Sequence, residues 1–206
     1  MHQKHVVVKG KKLGEAGKVL IMVHGRGANA EDILSLAAYL NVGEYTLIAP
    51  QATGNTWYPY SFLAPPVNNE PWLSSALNVL DGILKDVDES GIRRQNTYFL
   101  GFSQGACLTL EFAARNAQRF GGIVAFTGGL IGDRINEDNY SGDFEMTPVF
   151  IGSSDPDPHI PVVRVHETTG ILKKPNANVN EKIYPGMGHT VSENEIEIVN
   201  NTIFTV

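Results

Sequence analysis

Short apolar runs alternate with segments of helical period along this chain, and that alternation most narrows what it can fold into. The runs Val6–Lys9, Lys18–Val23, Thr46–Pro50, Thr97–Phe102, Gly122–Phe126, Pro148–Gly152 and Val179–Tyr184 predict strands. Several carry no polar alternation, which marks a strand covered on both faces. Apolar residues at Leu73, Ala76, Leu77, Leu80, Ile83, Leu84 and Val87 predict a helix that begins after Asn69, read as its N-cap, and stops near Gly91. Ile33, Leu36, Ala37 and Leu40 predict a shorter helix, and Pro161 opens another that runs to about Lys173. Ser192-x-x-Glu195 reads as a capping box ahead of Ile196, Val199 and Ile203. The expectation is one α/β domain over residues 1–206, a mostly parallel sheet flanked by helices on both faces. Two stretches, Gln51 to Asn68 and Thr127 to Thr147, are long and irregular enough to suggest function, yet too short for a separate lid domain.

Composition removes several function classes. With 206 residues and 42% apolar side chains the chain can fill one sizeable core, which argues against disorder. Sixteen Lys and Arg against 22 Asp and Glu leave a formal charge of −6, so nucleic acid and anionic lipid are poor partners. One cysteine, Cys107, makes neither an internal disulfide nor a multi-thiolate zinc site, and fits a reducing compartment. The longest strongly apolar run, Val19 to Val23, is far short of the ~20 residues of a membrane helix. Met1 to Lys12 lacks the apolar stretch of a signal peptide. A cytoplasmic location without integral membrane association is expected.

Gly101-Phe102-Ser103-Gln104-Gly105 is the most informative pentapeptide. It joins the strand Thr97–Phe102 to the helical stretch Ala106–Arg115, and a turn that sharp strains the backbone of its central residue. Glycines two before and two after remove Cβ atoms that would collide across the turn. Ser103 is then held up at the carboxyl edge of the sheet beside an electropositive helix N-terminus, suited to a developing oxyanion. A second N–H donor has to come from a neighbouring strand loop. Val23-His24-Gly25-Arg26-Gly27-Ala28-Asn29 supplies one, with Arg26 presenting its N–H. The Arg26 side chain either reaches the substrate or covers the pocket mouth, and His24 reads as a buried structural histidine. Neither phosphate-loop pattern is present in these glycines.

His189, in Pro185-Gly186-Met187-Gly188-His189 after the last strand, is the histidine best placed to reach Ser103. His2 and His5 lie at a terminus expected to fray, and His166 falls within a helix. An acid that fixes the imidazole must also leave the sheet's carboxyl edge, and both Asp155 and Asp157 qualify after Pro148–Gly152. The order Ser…Asp…His is that of the α/β-hydrolase arrangement. Asp155, Asp157, His159 and His166 would alternatively hold a divalent ion, but that reading leaves the serine turn unexplained.

These motifs together make the chain resemble the small phospholipase/carboxylesterase branch of the α/β-hydrolase superfamily, lidless serine esterases with acyl-protein thioesterase-like and dienelactone hydrolase-like members. The resemblance rests on His24-Gly25-Arg26-Gly27-Ala28, Gly101-Phe102-Ser103-Gln104-Gly105-Ala106, Asp155/Asp157 with Ile160-Pro161, and Gly188-His189. It implies Ser103 as nucleophile, His189 as base, the N–H groups of Arg26 and Gln104 as oxyanion hole, and no metal or organic cofactor. The family usually reads Gly-x-x-Asp-Pro-x-Val-Pro after the strand. Counting forward from Gly152 selects Asp155, counting back from Ile160-Pro161 selects Asp157, and the distance from the strand end favours Asp155.

Trp57, Tyr58, Tyr60 and Phe62 would wall an apolar pocket, or else cap the core beneath an irregular loop. Cys107, one helical turn after Ser103, reads as a small core residue. The expected function is hydrolysis of carboxylic esters, thioesters or lysophospholipids through an acyl-serine, with a small-molecule ester as partner. Lactone hydrolysis, a non-catalytic binding protein on the same fold and a homodimeric assembly remain open alternatives.

Overall fold

The computed structural model describes residues 1–205. Its seven strands are β1 (Val6–Gly10), β2 (Val19–Val23), β3 (Thr46–Pro50), β4 (Thr97–Phe102), β5 (Gly122–Phe126), β6 (Pro148–Asp155) and β7 (Asn178–Pro185). They form one sheet in the order β1-β3-β2-β4-β5-β6-β7, with β1 antiparallel to β3 and every other pair parallel. All seven predicted strands are present. Strands β2, β3 and β5 are buried throughout, matching their unbroken apolar runs, whereas the edge strand β7 alternates exposed and half-buried residues.

The helices are α1 (Ala30–Ser35), the short α2 (Pro66–Asn69), α3 (Trp72–Glu89), α4 (Gln104–Arg115), α5 (Val162–Lys173) and α6 (Glu193–Thr202). Two apolar clusters cover the two sheet faces. One packs α3, α4 and α5 against Ile21, Phe99 and Ile151, and the other packs α1 and α6 against Leu20, Leu100 and Phe150. These are successive residues of single strands, so the pleat sends neighbours to opposite layers. The Ser192–Glu195 capping box opens α6 as expected, and α3 carries the predicted apolar face.

Asn69 does not cap α3. It is fully buried, accepts from the Tyr60 N–H at 2.9 Å and donates to the Ser61 carbonyl at 3.0 Å, so its amide serves the loop before the helix. The helix starts three residues later, after Pro71. The N-terminus does not fray at His2 either. Its ring packs between Trp57 and Trp72, donates to the Trp57 carbonyl and accepts from the Thr53 N–H.

The chain leaves β2 for β3 on one side, then returns past β2 to add β4 and β5 on the other. Loops that leave β2 and β4 therefore diverge at the carboxyl edge, where open α/β sheets present a crevice. The long segment 127–147 lies beside it and is tied down by buried charges. The Glu111 carboxylate accepts from the Ile131 N–H and the Tyr140 hydroxyl, while the Arg164 guanidinium donates to the carbonyls of Leu130, Gly132 and Asp133.

Candidate active site

Ser103 stands between β4 and α4 with φ 54° and ψ −119°. A non-glycine residue at positive φ costs about 1–3 kcal/mol, and the surroundings hold it there. Its N–H donates to the Phe126 carbonyl at 3.0 Å and its carbonyl accepts from the Cys107 N–H at 3.0 Å. The flanking glycines are obligatory. A Cβ on Gly101 would lie 2.4 Å from the Gly105 carbonyl oxygen, and one on Gly105 would lie 2.1 Å from that of Val23. The turn thus packs directly on the end of β2, which brings the 24–29 loop alongside the serine.

Three predicted residues meet in one hydrogen-bonded chain. Ser103 Oγ lies 2.8 Å from His189 Nε2, and His189 Nδ1 lies 2.8 Å from Asp157 Oδ2. The other Asp157 oxygen accepts the N–H groups of His159 at 2.7 Å and Ile160 at 2.8 Å. Burial pushes the Asp157 carboxyl up, but the hydrogen bonds from His159, the His189 ring and Ile160 outweigh it and hold the group below the usual carboxylate range. An ionised Asp157 only accepts, so Nδ1 carries the proton and Nε2 is left to accept from the Ser103 hydroxyl.

Asp155 is not in this chain, contrary to the favoured sequence reading. The strand does not stop at Gly152 but runs to Asp155, which pairs with Pro185 across β7. Counting from Gly152 therefore started three residues too early. The Asp155 side chain is exposed, and only its carbonyl takes part, accepting from the Gly186 N–H at 3.0 Å. Asp157 is the first of the two aspartates to turn inward over the edge, and its side chain is fully buried.

The His189 loop turns through Gly186 and Gly188, both at positive φ. Ser154 fastens it to the aspartate loop, because its Oγ accepts from the Gly188 N–H at 2.9 Å. Sequence reasoning missed Ser154. Its only signal was its place beside two candidate acids. His159, exposed and set edge-on to the His189 ring at 4.8 Å between centroids, was weighed as a histidine of an acidic loop and as a metal ligand, not as a neighbour of the base. His166 faces away, bonded to Glu181 at 2.7 Å, so the four residues of the metal alternative are not brought together. Among the described residues no cluster of three or more histidine, cysteine or acidic side chains is placed to hold a metal ion.

Among the described residues, the backbone N–H groups of Arg26 and Gln104 have no partner, and both belong to loops that flank Ser103. Gln104 is the first residue of α4, where an N–H lacks an intrahelical acceptor and the helix dipole favours negative charge. The side chains of Arg26 and Gln104 both bond to the neighbouring loop. The Arg26 guanidinium donates to Thr56 Oγ1 at 2.9 Å and to the carbonyls of Tyr58, Pro59 and Tyr60 at 2.9, 3.0 and 2.7 Å. The Gln104 amide accepts from the Trp57 N–H at 2.9 Å and donates to the Tyr58 carbonyl at 2.8 Å. Both side chains thus fasten the 56–60 loop to the segments that carry the two free N–H groups.

A cleft of about 580 Å³ opens over Ser103, lined by Tyr58, Tyr60 and Phe62 and by His159 and Ile160. Trp57 does not line it. Its ring is fully buried beside His24, and Nε1 donates to the His24 carbonyl at 2.9 Å, so it caps the core. His24 is structural as read from sequence: fully buried, it donates from Nδ1 to the Gly25 carbonyl and accepts from the Ala52 N–H, and burial lowers its pKa. Cys107 lies at the cleft floor, where burial raises its thiol to about 12 and keeps it an inert filler.

The arrangement has the parts for acyl transfer: a hydroxyl bonded to an imidazole, a carboxylate behind it, and two donors beside it. Comparison with known proteins agrees. The chain is 50% identical to a phospholipase/carboxylesterase from Dyadobacter fermentans whose crystal structure is known, with a TM-score of 0.98 over 99% of this chain and 98% of that one. It is 27% identical to acyl-protein thioesterase 1 of Saccharomyces cerevisiae over 90% of this chain and 91% of that protein. The Bacillus cereus carboxylesterase shares the fold, with a TM-score of 0.77 at 22% identity over 95% of this chain and 91% of that one. No described helix is long and apolar enough to cross a membrane. The phospholipase/carboxylesterase family profile matches residues 2–206, and the chain belongs to that family.

Proposed function

We propose that this enzyme hydrolyses carboxylic esters or thioesters through an acyl-serine formed on Ser103. The carrying observation is the unbroken hydrogen-bonded run Ser103–His189–Asp157 at the carboxyl edge of the sheet. Ser103 Oγ attacks the substrate carbonyl while His189 Nε2 takes its proton, and Asp157 stabilises the imidazolium that forms. The N–H groups of Arg26 and Gln104 receive the oxyanion, and a missing donor in such a hole costs roughly 3–4 kcal/mol of transition-state stabilisation. His189 then protonates the leaving group and later activates the water that releases the acid. Every proton movement is covered by these side chains, so the mechanism calls on no metal or organic cofactor.

Tyr58, Tyr60 and Phe62 support an apolar acyl or aryl group in the cleft. The single buried thiol, Cys107, supports a reducing compartment such as the cytoplasm. The test is labelling with an alkyl fluorophosphonate, followed by peptide mapping. The expected result is one adduct on Ser103, absent in Ser103→Ala, together with hydrolysis of 4-nitrophenyl esters. Folded protein that gives no adduct at Ser103 overturns the proposal.

A further inference from the structure

A second cleft, of about 390 Å³, adjoins the first and shares Gly25, Ala28, Phe102 and His189 with it. It is lined by Ile33 and Leu36 from the α1 region and by Val191 from the segment after His189. The two clefts differ in what they reach. The tyrosine-walled cleft contains Ser103 and Gln104, whereas the second contains neither and meets the site through Phe102, His189 and the Gly25–Ala28 turn. The shared wall is built from the rings of Phe102 and His189, 5.3 Å apart.

That division matches the two halves of an ester. The acyl half becomes bonded to Ser103 Oγ and must lie where that oxygen opens. The leaving half must pass beside the imidazole that protonates it. We propose that the Ile33–Leu36–Val191 cleft binds the leaving alcohol, and that the enzyme prefers esters of extended, uncharged, apolar alcohols. This rests on the acyl-serine reading above. In the step concerned, the Oγ–carbon bond forms and the bond from the carbonyl carbon to the alcohol oxygen breaks. The proton taken from Ser103 passes through His189 to the departing alkoxide.

The lining also speaks on charge. Among the described residues it holds one carboxylate, Asp32, and no lysine or arginine. Asp32 is engaged in the N-terminal capping box of α1, where its carboxylate accepts from the Asn29 N–H at 2.9 Å. The one cation of the neighbouring cleft, Arg26, spends its donors on Thr56 and three loop carbonyls. A phosphate on the leaving group would find no lysine or arginine on this wall, only the Asp32 carboxylate and the His189 ring that has to serve the departing oxygen.

Two substrate series separate the halves: acetates of alcohols from methanol to hexanol, and 4-nitrophenyl esters from acetate to octanoate. For the wild type, kcat/KM should rise about fourfold per methylene in the alcohol series, the scale of a buried CH₂. Leu36→Trp, which fills the cleft from the α1 side, should flatten the alcohol series and leave the slope of the acyl series intact. Val191→Phe, from the segment after His189, should do the same if Leu36→Trp fails to fold. A lysophospholipid should turn over more slowly than the monoacylglycerol of the same chain. A flat wild-type alcohol series, a variant that flattens the acyl series instead, or faster lysophospholipid turnover overturns the inference while an adduct on Ser103 keeps the esterase reading. Absence of that adduct removes both.

Discussion

Replacing each candidate aspartate by asparagine gives the sharpest reading of the site. Asp157 Oδ1 accepts two backbone N–H groups at 2.7 and 2.8 Å. In Asp157→Asn the amide oxygen has to stay in that position, because an NH₂ there would face two donors. The amide nitrogen then falls where Oδ2 was, 2.8 Å from His189 Nδ1, and meets a second donor. The imidazole escapes by moving its proton to Nε2, where it can no longer accept from Ser103 at 2.8 Å. The corresponding change in a serine protease lowers kcat by ~10⁴, about 5.5 kcal/mol of barrier, with the geometry intact. We expect a fall in kcat of about 10³–10⁴ in steady-state hydrolysis of 4-nitrophenyl acetate, with KM little changed and the thermal transition retained. Asp155→Asn alters an exposed carboxylate and keeps the carbonyl that holds Gly186, so kcat should stay within about twofold of wild type. Equal losses, or a larger loss in Asp155→Asn, would refute the reasoning.

Two further predictions concern parts that hold the site. Arg26→Met keeps the backbone N–H of the oxyanion hole but removes four side-chain hydrogen bonds to the 56–60 loop. With each worth about 0.5–1.5 kcal/mol and partly exposed, stability measured by urea unfolding should drop by roughly 1–2 kcal/mol. KM for long-chain acyl esters should rise while kcat for acetate holds, and an equal fall in kcat for every chain length would place the guanidinium in the chemistry instead. Glu195 is fully buried with one carboxylate oxygen unpaired, and burial, opposed by its bonds to Ser192, raises its pKa. A raised folded pKa means the folded state holds its proton longer, so its contribution is intact below the unfolded value near 4.3 and declines as pH rises through the folded value. Melting temperatures of Glu195→Gln and wild type should therefore diverge in favour of the variant between pH 4.5 and 7.5, and a gap that is constant or moves the other way refutes the assignment.

Local chemistry made most of the fold legible. Unbroken apolar runs can satisfy their surface only inside a covered sheet, and the Gly-x-Ser-x-Gly turn has no room for side chains at its flanks, as the contacts at Gly101 and Gly105 show. Strand order was not legible, because nothing local tells β3 to lie between β1 and β2. The aspartate was misread for a related reason. Where β6 ends depends on its partner β7, which keeps Ser153, Ser154 and Asp155 paired to Ile183, Tyr184 and Pro185. Asn69 misled because an amide before a helix looks like a cap whether it turns to the helix or to the loop behind it. The Arg26 and Gln104 side chains were invisible as loop anchors, since most of their targets are backbone groups, which leave no mark on a sequence.

The site is assembled wholly at the carboxyl edge of the parallel strands, from the turns after β2, β4, β6 and β7. The opposite edge, with the exposed turn from Gly10 to Gly17 and the β5 entry at Gly121, contributes no atom to it. Lengthening or grafting sequence into the 11–15 turn therefore leaves the reacting groups in register, whereas a single residue added between Ser154 and Asp157 displaces the acid from its histidine. The molecule has a side that tolerates novelty and a side that does not, and a fused tag or new module belongs on the first.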